Sequence, residues 1–483
     1  MVDVPGVSSG KKSPDARQIT TVYILLLVAA GIGFFVIRDF GEKLAARPVI
    51  SSPAAIASGT LPQSHLLPQV LVALVVVISV ARILGFVCQR LGQPRVIGEV
   101  IAGIALGPSL FGRIAPDAMA FVFPSAVSPV LGILAQLGVI LYMFLVGLEL
   151  NSELLRSRAH ATVAISHASI TGPFLLGAAL ALTAYSSYAP AGVTFTSFAL
   201  FLGVAMSITA FPVLARILTD LRLDKTELGV IALGCAAIDD VTAWCLLAFV
   251  VGVTKADLYG ALMTVTLAGC YLGIMFGVAR PLIMRYLAPL KNAELSVNVT
   301  AWVLVAVLAS AVMTELIGIH AIFGAFLLGA VIPHDGHIAG SFRHKLEDVV
   351  SILLLPAFFA YTGTRTQIGL LSEWSDWWFC SLIILVATLG KFGGTLVASR
   401  FTGLDWRTSA SLGILMNTRG LMELIVLNIG LDLGVISPTL FAMMVLMALV
   451  TTIATTPLLR MLLPGCPPSA GGSDQPDAEG FRA

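Results

Sequence analysis

Residues 229–251 are the stretch that decides the fold: Gly229-Val-Ile-Ala-Leu-Gly-Cys-Ala-Ala-Ile-Asp239-Asp240-Val-Thr-Ala-Trp-Cys-Leu-Leu-Ala-Phe-Val-Val251. They are mostly apolar or small, and they are long enough to cross a bilayer as an α-helix. A charge at the centre of a membrane helix costs roughly 2.5–3.5 kcal/mol on insertion scales, so two adjacent carboxylates there indicate a function. Neighbouring helix positions point about 100° apart. We therefore expect one carboxylate to face a water-filled cavity and the other to face a neighbouring helix.

The composition extends this prediction to the whole chain. Of its 483 residues, 57% are hydrophobic and 11% are charged, whereas a soluble domain carries about 25% charged residues. The charges fall in short gaps between apolar runs, which predicts an all-α polytopic membrane protein. A net charge of +1 gives no reason to expect nucleic acid as a partner. The six cysteines form no Cys-x-x-Cys pair, and there is no phosphate-binding glycine motif, so we expect no disulfide framework, cofactor, resident metal or enzyme activity.

The first apolar run is residues 19–37, between a polar tail at 1–18 and a linker at 38–65 that is rich in Pro, Ala and Ser. It is either a cleaved signal peptide or an uncleaved anchor helix. Signal peptides have apolar cores of about 7–15 residues, so the length of this run favours an anchor. Residues 464–483 are predicted to be a disordered tail. Thirteen further helices are predicted at approximately 66–88, 94–111, 130–150, 160–185, 195–217, 226–252, 257–287, 296–315, 319–334, 349–371, 377–401, 407–430 and 438–463.

The distribution of Lys and Arg predicts the orientation of the chain. With a cytoplasmic amino terminus, 19 of the 28 basic residues fall on the cytoplasmic side and 6 on the outer side. The other three, Arg82, Lys391 and Arg419, lie within helices. This asymmetry favours about fourteen membrane helices with both termini in the cytoplasm, as in a plasma or inner membrane protein.

A faint internal repeat links the two halves of the chain. Residues 96–107 resemble residues 318–329, and residues 147–151 follow a helix at the same place as residues 363–367. The two offsets, about 221 and 216 residues, are nearly equal. Two six-helix halves, 66–252 and 296–463, joined by the single helix 257–287 would be inverted relative to each other. Secondary transporters have this geometry, with the substrate site near the midplane of the membrane.

Lys391 lies near the centre of the helix predicted at 377–401 and is too deep in the membrane to reach the surface, so it needs an anion. We expect it to pair with one carboxylate of Asp239 and Asp240. The pair is either a permanent salt bridge that only holds helices together or one that opens when the carboxylate changes its proton. Both interpretations predict the same contact.

Two membrane segments are interrupted by polar residues. The helix at 195–217 contains Met206-Ser207-Ile208-Thr209-Ala210-Phe211-Pro212, and the helix at 407–430 contains Asn417-Thr418-Arg419-Gly420, about 210 residues later. Unwound segments expose backbone carbonyls and half-helix ends, which coordinate cations or balance charge. The alternative is an ordinary proline kink and an arginine that reaches towards the membrane surface.

Several further acidic and histidine residues lie in or near the apolar runs. For Glu99, Glu149, Glu315 and Glu423 we expect a structural network with Arg419 or Arg365 rather than direct transport. His334, Asp335 and His337 are interpreted as part of a solvated basic loop and not as a metal site.

Four motifs, in this order along the chain, together resemble the monovalent cation:proton antiporters, most closely the paired-aspartate branch of Kef-type, NapA-type and plant cation/proton exchangers. They are Arg90-Leu-Gly-Gln-Pro-Arg-Val-Ile-Gly-Glu-Val-Ile-Ala-Gly-Ile-Ala-Leu-Gly-Pro-Ser109, Phe144-Leu-Val-Gly-Leu-Glu-Leu150, Ala236-Ala-Ile-Asp-Asp-Val-Thr-Ala-Trp244 and Gly324-Ala-Phe-Leu-Leu-Gly329. The resemblance covers 66–463 and implies a thirteen-helix exchanger domain, a dimer, and two broken helices that cross beside the aspartates. It also implies that Asp240 binds the transported Na⁺ or K⁺ and the proton, and that Asp239 pairs with Lys391.

The resemblance has two limits. Helix 19–37 is not part of the shared core, and Kef-type proteins end in a nucleotide-binding domain that has no counterpart here, so nucleotide gating is not expected. The function predicted is a Na⁺ and/or K⁺:proton antiporter embedded in membrane lipid. A gated cation channel would need a selectivity ring or filter sequence, and none is present. A non-transporting membrane sensor on the same fold is the remaining alternative.

Overall fold

The structure is a computed structural model that describes residues 16–44, 66–148, 159–255, 258–287, 296–332 and 337–463. Within these ranges the regular elements are all helical. Glu149, His334, Asp335, most of both tails and most of the linker lie outside the described residues. The membrane-embedded helices are α1 (Ala16–Gly41), α2 (Leu66–Arg90), α3 (Arg95–Leu106), α4 (Val127–Leu148), α5 (Ala159–Tyr188), α6 (Phe195–Ser207), α7 (Phe211–Asp220), α8 (Glu227–Lys255), α9 (Leu258–Ile274, continuing through Met275–Ala279 and Arg280–Leu287), α10 (Val297–Ile317), α11 (Ala321–Val331), α12 (His337–Val349, continuing through Val350–Leu354 and Leu355–Arg365), α13 (Trp374–Phe401), α14 (Trp406–Met416), α15 (Leu421–Asp432) and α16 (Pro438–Leu462).

Twelve spans within the described residues are long and apolar enough to cross a membrane, and the bent pair α14–α15 makes a thirteenth. The chain is thus a multi-pass membrane protein, as predicted. The eleven-residue helix α11 lies where a helix was predicted at 319–334 and is shorter than a full crossing. Helix α1 extends beyond the predicted bounds 19–37 at both ends. Near its carboxyl end Arg38 pairs with Glu42, which follows the helix, at 2.6 Å.

The helices form two groups by their packing. In one group, α3 packs on α2 and α12, and α4 packs on α11 and α12. In the other group, α5 packs on α6, α8 and α13, and α13 also packs on α14 and α16. Helix α1 lies against α5 and α6. The second group contains both interrupted segments and both aspartates.

Glycines bring the backbones of the first group into direct contact. A Cβ at Gly363 of α12 would overlap the carbonyl oxygen of Gly103 in α3. Likewise, a Cβ at Gly147 would overlap the backbone of α11, and one at Gly329 would overlap the backbone of α4. In the sequence repeat, α3 corresponds to α11, and the end of α4 corresponds to the end of α12. The contact of α3 with α12 is therefore repeated by the contact of α11 with α4. Small residues allow membrane helices to approach this closely.

Candidate functional site

The site lies where two interrupted helices cross. Helix α6 ends at Ser207 and α7 begins at Phe211, while α14 ends at Met416 and α15 begins at Leu421. Pro212 stands in the first turn of α7, where its missing N–H costs nothing, although it would break a continuous helix. The α14–α15 pair is bent by 43°. The predicted interruptions are thus present in both halves of the chain.

The two unwound segments, 208–210 and 417–420, are hydrogen-bonded to each other. The backbone N–H of Ala210 donates to the carbonyl oxygen of Thr418 at 3.0 Å. The hydroxyl of Thr209 lies 3.0 Å from the carbonyl oxygen of Met416, which is the last residue of α14. Backbone groups that lose their helical partners at the interruptions thus find partners across the crossing.

Asp239 of α8 is fully buried beside this crossing and is surrounded by donors. The hydroxyls of Ser166, Ser169 and Thr209 lie 2.5, 3.0 and 2.9 Å from its carboxylate oxygens. The ammonium group of Lys391 lies 2.8 Å from Oδ2 of the same carboxylate. A buried charge is tolerated when it is paired and hydrogen-bonded. These contacts give the carboxylate of Asp239 both an ion partner and hydrogen-bond donors.

Lys391 of α13 is also fully buried. Besides Asp239, its Nζ donates to the carbonyl oxygen of Ser207, at 2.5 Å, and lies 3.5 Å from the hydroxyl of Ser169. Ser207 is the last residue of α6, where the unsatisfied carbonyls give a helix its negative end. The lysine therefore neutralises both a carboxylate and a half-helix end.

Asp240 is 1% exposed, and its environment differs from that of Asp239. Among the residues that the structure describes, no donor lies within hydrogen-bond distance of either of its carboxylate oxygens. The side-chain oxygens of Asn417 and Thr418 are also buried without a partner in the described part of the chain. A buried carboxylate must be neutralised, and either a proton or an alkali cation can do this. Carboxylate, amide and hydroxyl oxygens are suitable ligands for such a hard cation.

Arg419 holds the other side of the crossing. Its guanidinium group donates to the carbonyl oxygens of Ala205 and Met206, at 2.9 and 2.5 Å, and to Glu423 at 2.8 Å. The last three carbonyls of α6 are thus capped by two cations, Arg419 and Lys391. Glu423 lies in the first turn of α15, where a negative charge is favoured by the helix dipole. Arg419 therefore joins α6 to α15 and does not reach towards the membrane surface.

Not every predicted acidic residue belongs to this network. Glu423 pairs with Arg419, but the pairing of Glu99 with Arg419 or Arg365 was wrong. The nearest cation to Glu99 is Arg95, one turn earlier on α3, at 3.8 Å. Glu315 accepts a hydrogen bond from the N–H of Ala321, which begins α11.

Arg365 of α12 was also expected to pair with a glutamate, but it pairs with Asp432 of α15 at 2.5 Å. Its guanidinium group also donates to Asn428 of α15, at 3.1 Å. Arg365 ends α12, Asp432 ends α15 and Asn428 lies one turn earlier on α15, so Arg365 joins the two helix groups.

The structure brings Asp239, Lys391, Thr209, Ser207 and Arg419 into one continuous set of contacts. Sequence reasoning missed Ser166 and Ser169 of α5, which complete the shell around Asp239. A signal for them exists, because they lie three residues apart on a membrane-spanning helix and so share one face. Within the described residues no group of three metal-ligating side chains is present.

Comparison with known proteins identifies the family of the chain. Residues 70–463 match the family described as "Sodium/hydrogen exchanger, transmembrane". The Na⁺/H⁺ antiporter NhaS4 of Synechocystis is 46% identical over 82% of this chain and 97% of its own length. Cation/H⁺ antiporter 17 of Arabidopsis thaliana is 40% identical over 86% of this chain and 51% of its own length. K⁺/H⁺ antiporter 1 of Saccharomyces cerevisiae is 36% identical over 77% of this chain and 44% of its own length. The chain spans nearly all of the cyanobacterial relative and about half of the plant and yeast relatives.

The fold has a counterpart among solved structures. The sodium proton antiporter MjNhaP1 from Methanocaldococcus jannaschii superimposes with a TM-score of 0.59, over 83% of this chain and 99% of that protein. The sequence identity is 14%, so the likeness concerns the fold.

Proposed function

The chain belongs to the sodium/hydrogen exchanger family, and on that premise we propose that it exchanges a monovalent cation, Na⁺ or K⁺, for protons by alternating access at Asp240. The relatives are named for Na⁺, K⁺ or an unspecified cation, so the family supports cation/proton antiport as the activity class. In this proposal the transported ions are the substrates, and no resident metal or cofactor is required.

The observation that carries the proposal is the contrast between two adjacent carboxylates. Asp239 has three hydroxyls and an ammonium group around it, whereas Asp240 has no donor within reach in the described part of the chain. A carboxylate that already has an ion partner and hydrogen-bond donors does not readily exchange them for a proton or a metal ion. An unsatisfied buried carboxylate takes whichever of the two available cations, the proton or the alkali ion, is bound more strongly under the prevailing conditions. Asp240 is therefore the exchanging group, and Asp239 and Lys391 hold the surrounding helices in place.

The exchange cycle follows from this competition. On one side of the membrane a metal ion displaces the proton from Asp240, and on the other side the proton displaces the metal ion. If only the neutralised form of the site crosses between the inward-open and outward-open states, the two fluxes are coupled without ATP. The unpartnered oxygens of Asn417 and Thr418, together with the carbonyls of the unwound segments, would supply the remaining cation ligands.

The larger organisation is proposed from the sequence and from the family. Residues 66–463 form the exchanger domain, with 66–252 and 296–463 as inverted halves, and α1 is an additional helix outside it. The repeated glycine contacts of α3 with α12 and of α11 with α4 support the two halves. We further propose a homodimer in the plasma membrane, with both termini in the cytoplasm, as the distribution of Lys and Arg favours.

The test uses proteoliposomes that contain a pH-sensitive dye. Sodium, potassium and lithium are added separately, with and without an ionophore that clamps the voltage. We expect Asp240→Asn to abolish cation-dependent proton movement while the protein elutes and melts like the wild type. Asp117→Asn, which changes an exposed acid, is the matched control and should exchange normally. Wild-type exchange rates in Asp240→Asn would refute the assignment.

The same preparation separates antiport from a channel or a sensor. A channel would pass cations down their gradient without opposing protons, and its flux would follow the clamped voltage. A sensor would give no flux at all. Saturable cation flux coupled to opposing protons identifies the antiporter.

A further inference from the structure

A large cavity lies between α1 and the helices that carry the ion site. Its volume is about 950 Å³. Its walls come from α1, α5 and α13, and all three are membrane-spanning helices, so the cavity lies at the depth of the bilayer. The residues that line it are mostly small or apolar, and they include Tyr23, Ala30, Ala168, Gly393 and Thr402.

The cavity is partly open, and hydroxyl-bearing residues lie towards one end of it. Near the carboxyl end of α1, the rings of Phe34 and Phe174 are 5.8 Å apart and the hydroxyl of Thr196 lies 3.1 Å from Glu42. Near the amino end of α1, the ring of Tyr23 lies 5.0 Å from that of His167 in α5, and Tyr23 and Thr402 both line the cavity. An amphiphile with an apolar tail matches this gradient.

Small residues on the inner wall create the space. At Gly393 of α13, no atom of a neighbouring element in the described chain lies within 4 Å of the position that a Cβ would take. On the same helix, a Cβ at Gly394 would lie 2.6 Å from the carbonyl oxygen of Ala168 in α5. Helices α5 and α13 are thus in close contact with each other, while Gly393 faces open space towards α1.

The inner wall is the reverse face of the ion site. On α5, Ala168 lines the cavity and the next residue, Ser169, contacts Asp239. On α13, Gly393 lines the cavity, and Lys391, two residues earlier, also contacts Asp239. Neighbouring residues of a helix point about 100° apart, so one helix serves both surfaces. Whatever fills the cavity therefore packs against the helix pair that holds Asp239.

An apolar space of this size does not stay empty. Protein interiors contain few voids larger than a water molecule, and an engineered apolar cavity of about 150 Å³ already binds benzene. The cavity here is several-fold larger, and water would find few partners on its walls. In a bilayer the molecules at this depth are lipid acyl chains.

We propose that the cavity is a binding site for a phospholipid acyl chain, with the lipid headgroup at the end marked by Tyr23 and Thr402. The chain fills the space between α1 and the α5–α13 pair and thereby attaches the additional helix to the helices of the ion site. The proposal concerns lipid binding alone and stands apart from the antiport activity.

The test reconstitutes the full chain in phosphatidylcholine vesicles that contain a small fraction of phosphatidylcholine with a diazirine near the end of one acyl chain. After irradiation, mass spectrometry maps the labelled peptides. We expect saturable labelling of α1, α5 and α13, above the unsaturable labelling of α10, many of whose apolar side chains are exposed. Gly393→Phe places a ring in the cavity and should reduce that labelling at least fivefold. Gly273→Phe, at an exposed glycine of α9 that also has open space, is the matched control and should leave it unchanged.

A second variant on the opposite wall, Ala30→Phe, gives the same readout if Gly393→Phe does not fold. Equal labelling in the wild type and in the cavity variants would overturn the proposal, because the label would then come from the outer surface. Labelling no stronger than that of α10 would also overturn it. Cross-links from the cavity helices to another segment of this chain, or to a second copy, would show that protein fills the space instead.

Discussion

Asp239 and Asp240 are consecutive residues of α8, yet their carboxylates lie in opposite surroundings. Asp239 is 2.8 Å from the ammonium group of Lys391 and is ringed by hydroxyls, whereas Asp240 is buried with no donor in reach within the described chain. The rotation of about 100° per helical residue is enough to separate them. Adjacent positions of one helix therefore present one carboxylate that is paired and one that has no partner within the described chain.

Replacing Lys391 should destabilise the protein. Lys391→Met keeps most of the side-chain volume but leaves the charge of Asp239 buried without its ion partner, and breaking a buried pair from one side costs roughly 3–5 kcal/mol. We expect a clear fall in the midpoint of thermal unfolding, measured in detergent by intrinsic fluorescence. The double variant Asp239→Asn/Lys391→Met removes both charges and should recover most of the loss. A double variant less stable than Lys391→Met would contradict the pairing.

Arg419 should not tolerate lysine. Its guanidinium group reaches two carbonyls of α6 and the carboxylate of Glu423 together, and a single ammonium group cannot reproduce that planar geometry. A hydrogen bond to a charged group contributes about 1.5–3 kcal/mol, so we expect Arg419→Lys to lose about 2 kcal/mol of unfolding free energy. Arg407→Lys, at an exposed position in the first turn of α14, is the control. Equal unfolding midpoints for the two variants would show that Arg419 is not needed at the crossing.

Two glycine-to-alanine changes should have opposite effects. In Gly363→Ala the new methyl group meets the backbone of Gly103, and overpacking of this kind costs about 1–3 kcal/mol. In Gly393→Ala the methyl group enters open space, and alanine favours a helix over glycine by roughly 0.5–1 kcal/mol. We expect a lower unfolding midpoint and a lower yield of folded protein only for Gly363→Ala. A stable Gly363→Ala variant would mean that α3 and α12 do not touch through their backbones.

Asp405 should make the stability of α14 depend on pH. Partial burial opposes the charge of this N-cap carboxylate, but hydrogen bonds from the hydroxyl of Thr408 and from the N–H groups of Thr408 and Arg407 outweigh it and lower the pKa of Asp405. Because the pKa is lower in the folded protein, the stabilisation is present above the unfolded-state pKa of about 3.9. It is lost as the pH falls through the folded-state pKa.

Variants at Asp405 separate the stability contributed by its N-cap hydrogen bonds from the stability contributed by its charge. Asp405→Asn keeps a good N-cap and should match the wild type at neutral pH, while Asp405→Ala should lose about 1 kcal/mol. As the pH is lowered below about 4, the wild type should lose more stability than Asp405→Asn. Parallel acid-dependent changes in the unfolding midpoints of the two proteins would argue against this contribution.

The order of the helices and the location of the site could be predicted from the sequence, because apolar length and intramembrane charge are strong local signals. The broken segments around Thr209 and Arg419 were visible as polar residues within apolar runs. The partner of Glu99 was missed although it is local, because Arg95 lies four residues earlier on the same helix and that spacing was not considered. Ser166 was missed for a different reason, since a serine in a membrane helix usually bonds its own backbone and gains meaning only from the residue opposite.

The glycine contacts of α3 with α12 and of α4 with α11 have a mechanical consequence. At these contacts the backbones meet directly, so there are no side-chain rotamers that could rearrange. The helices in contact, α3 with α12 and α4 with α11, therefore resist sliding past one another. Relative movement of helices is then easier along boundaries packed by flexible side chains than along these contacts.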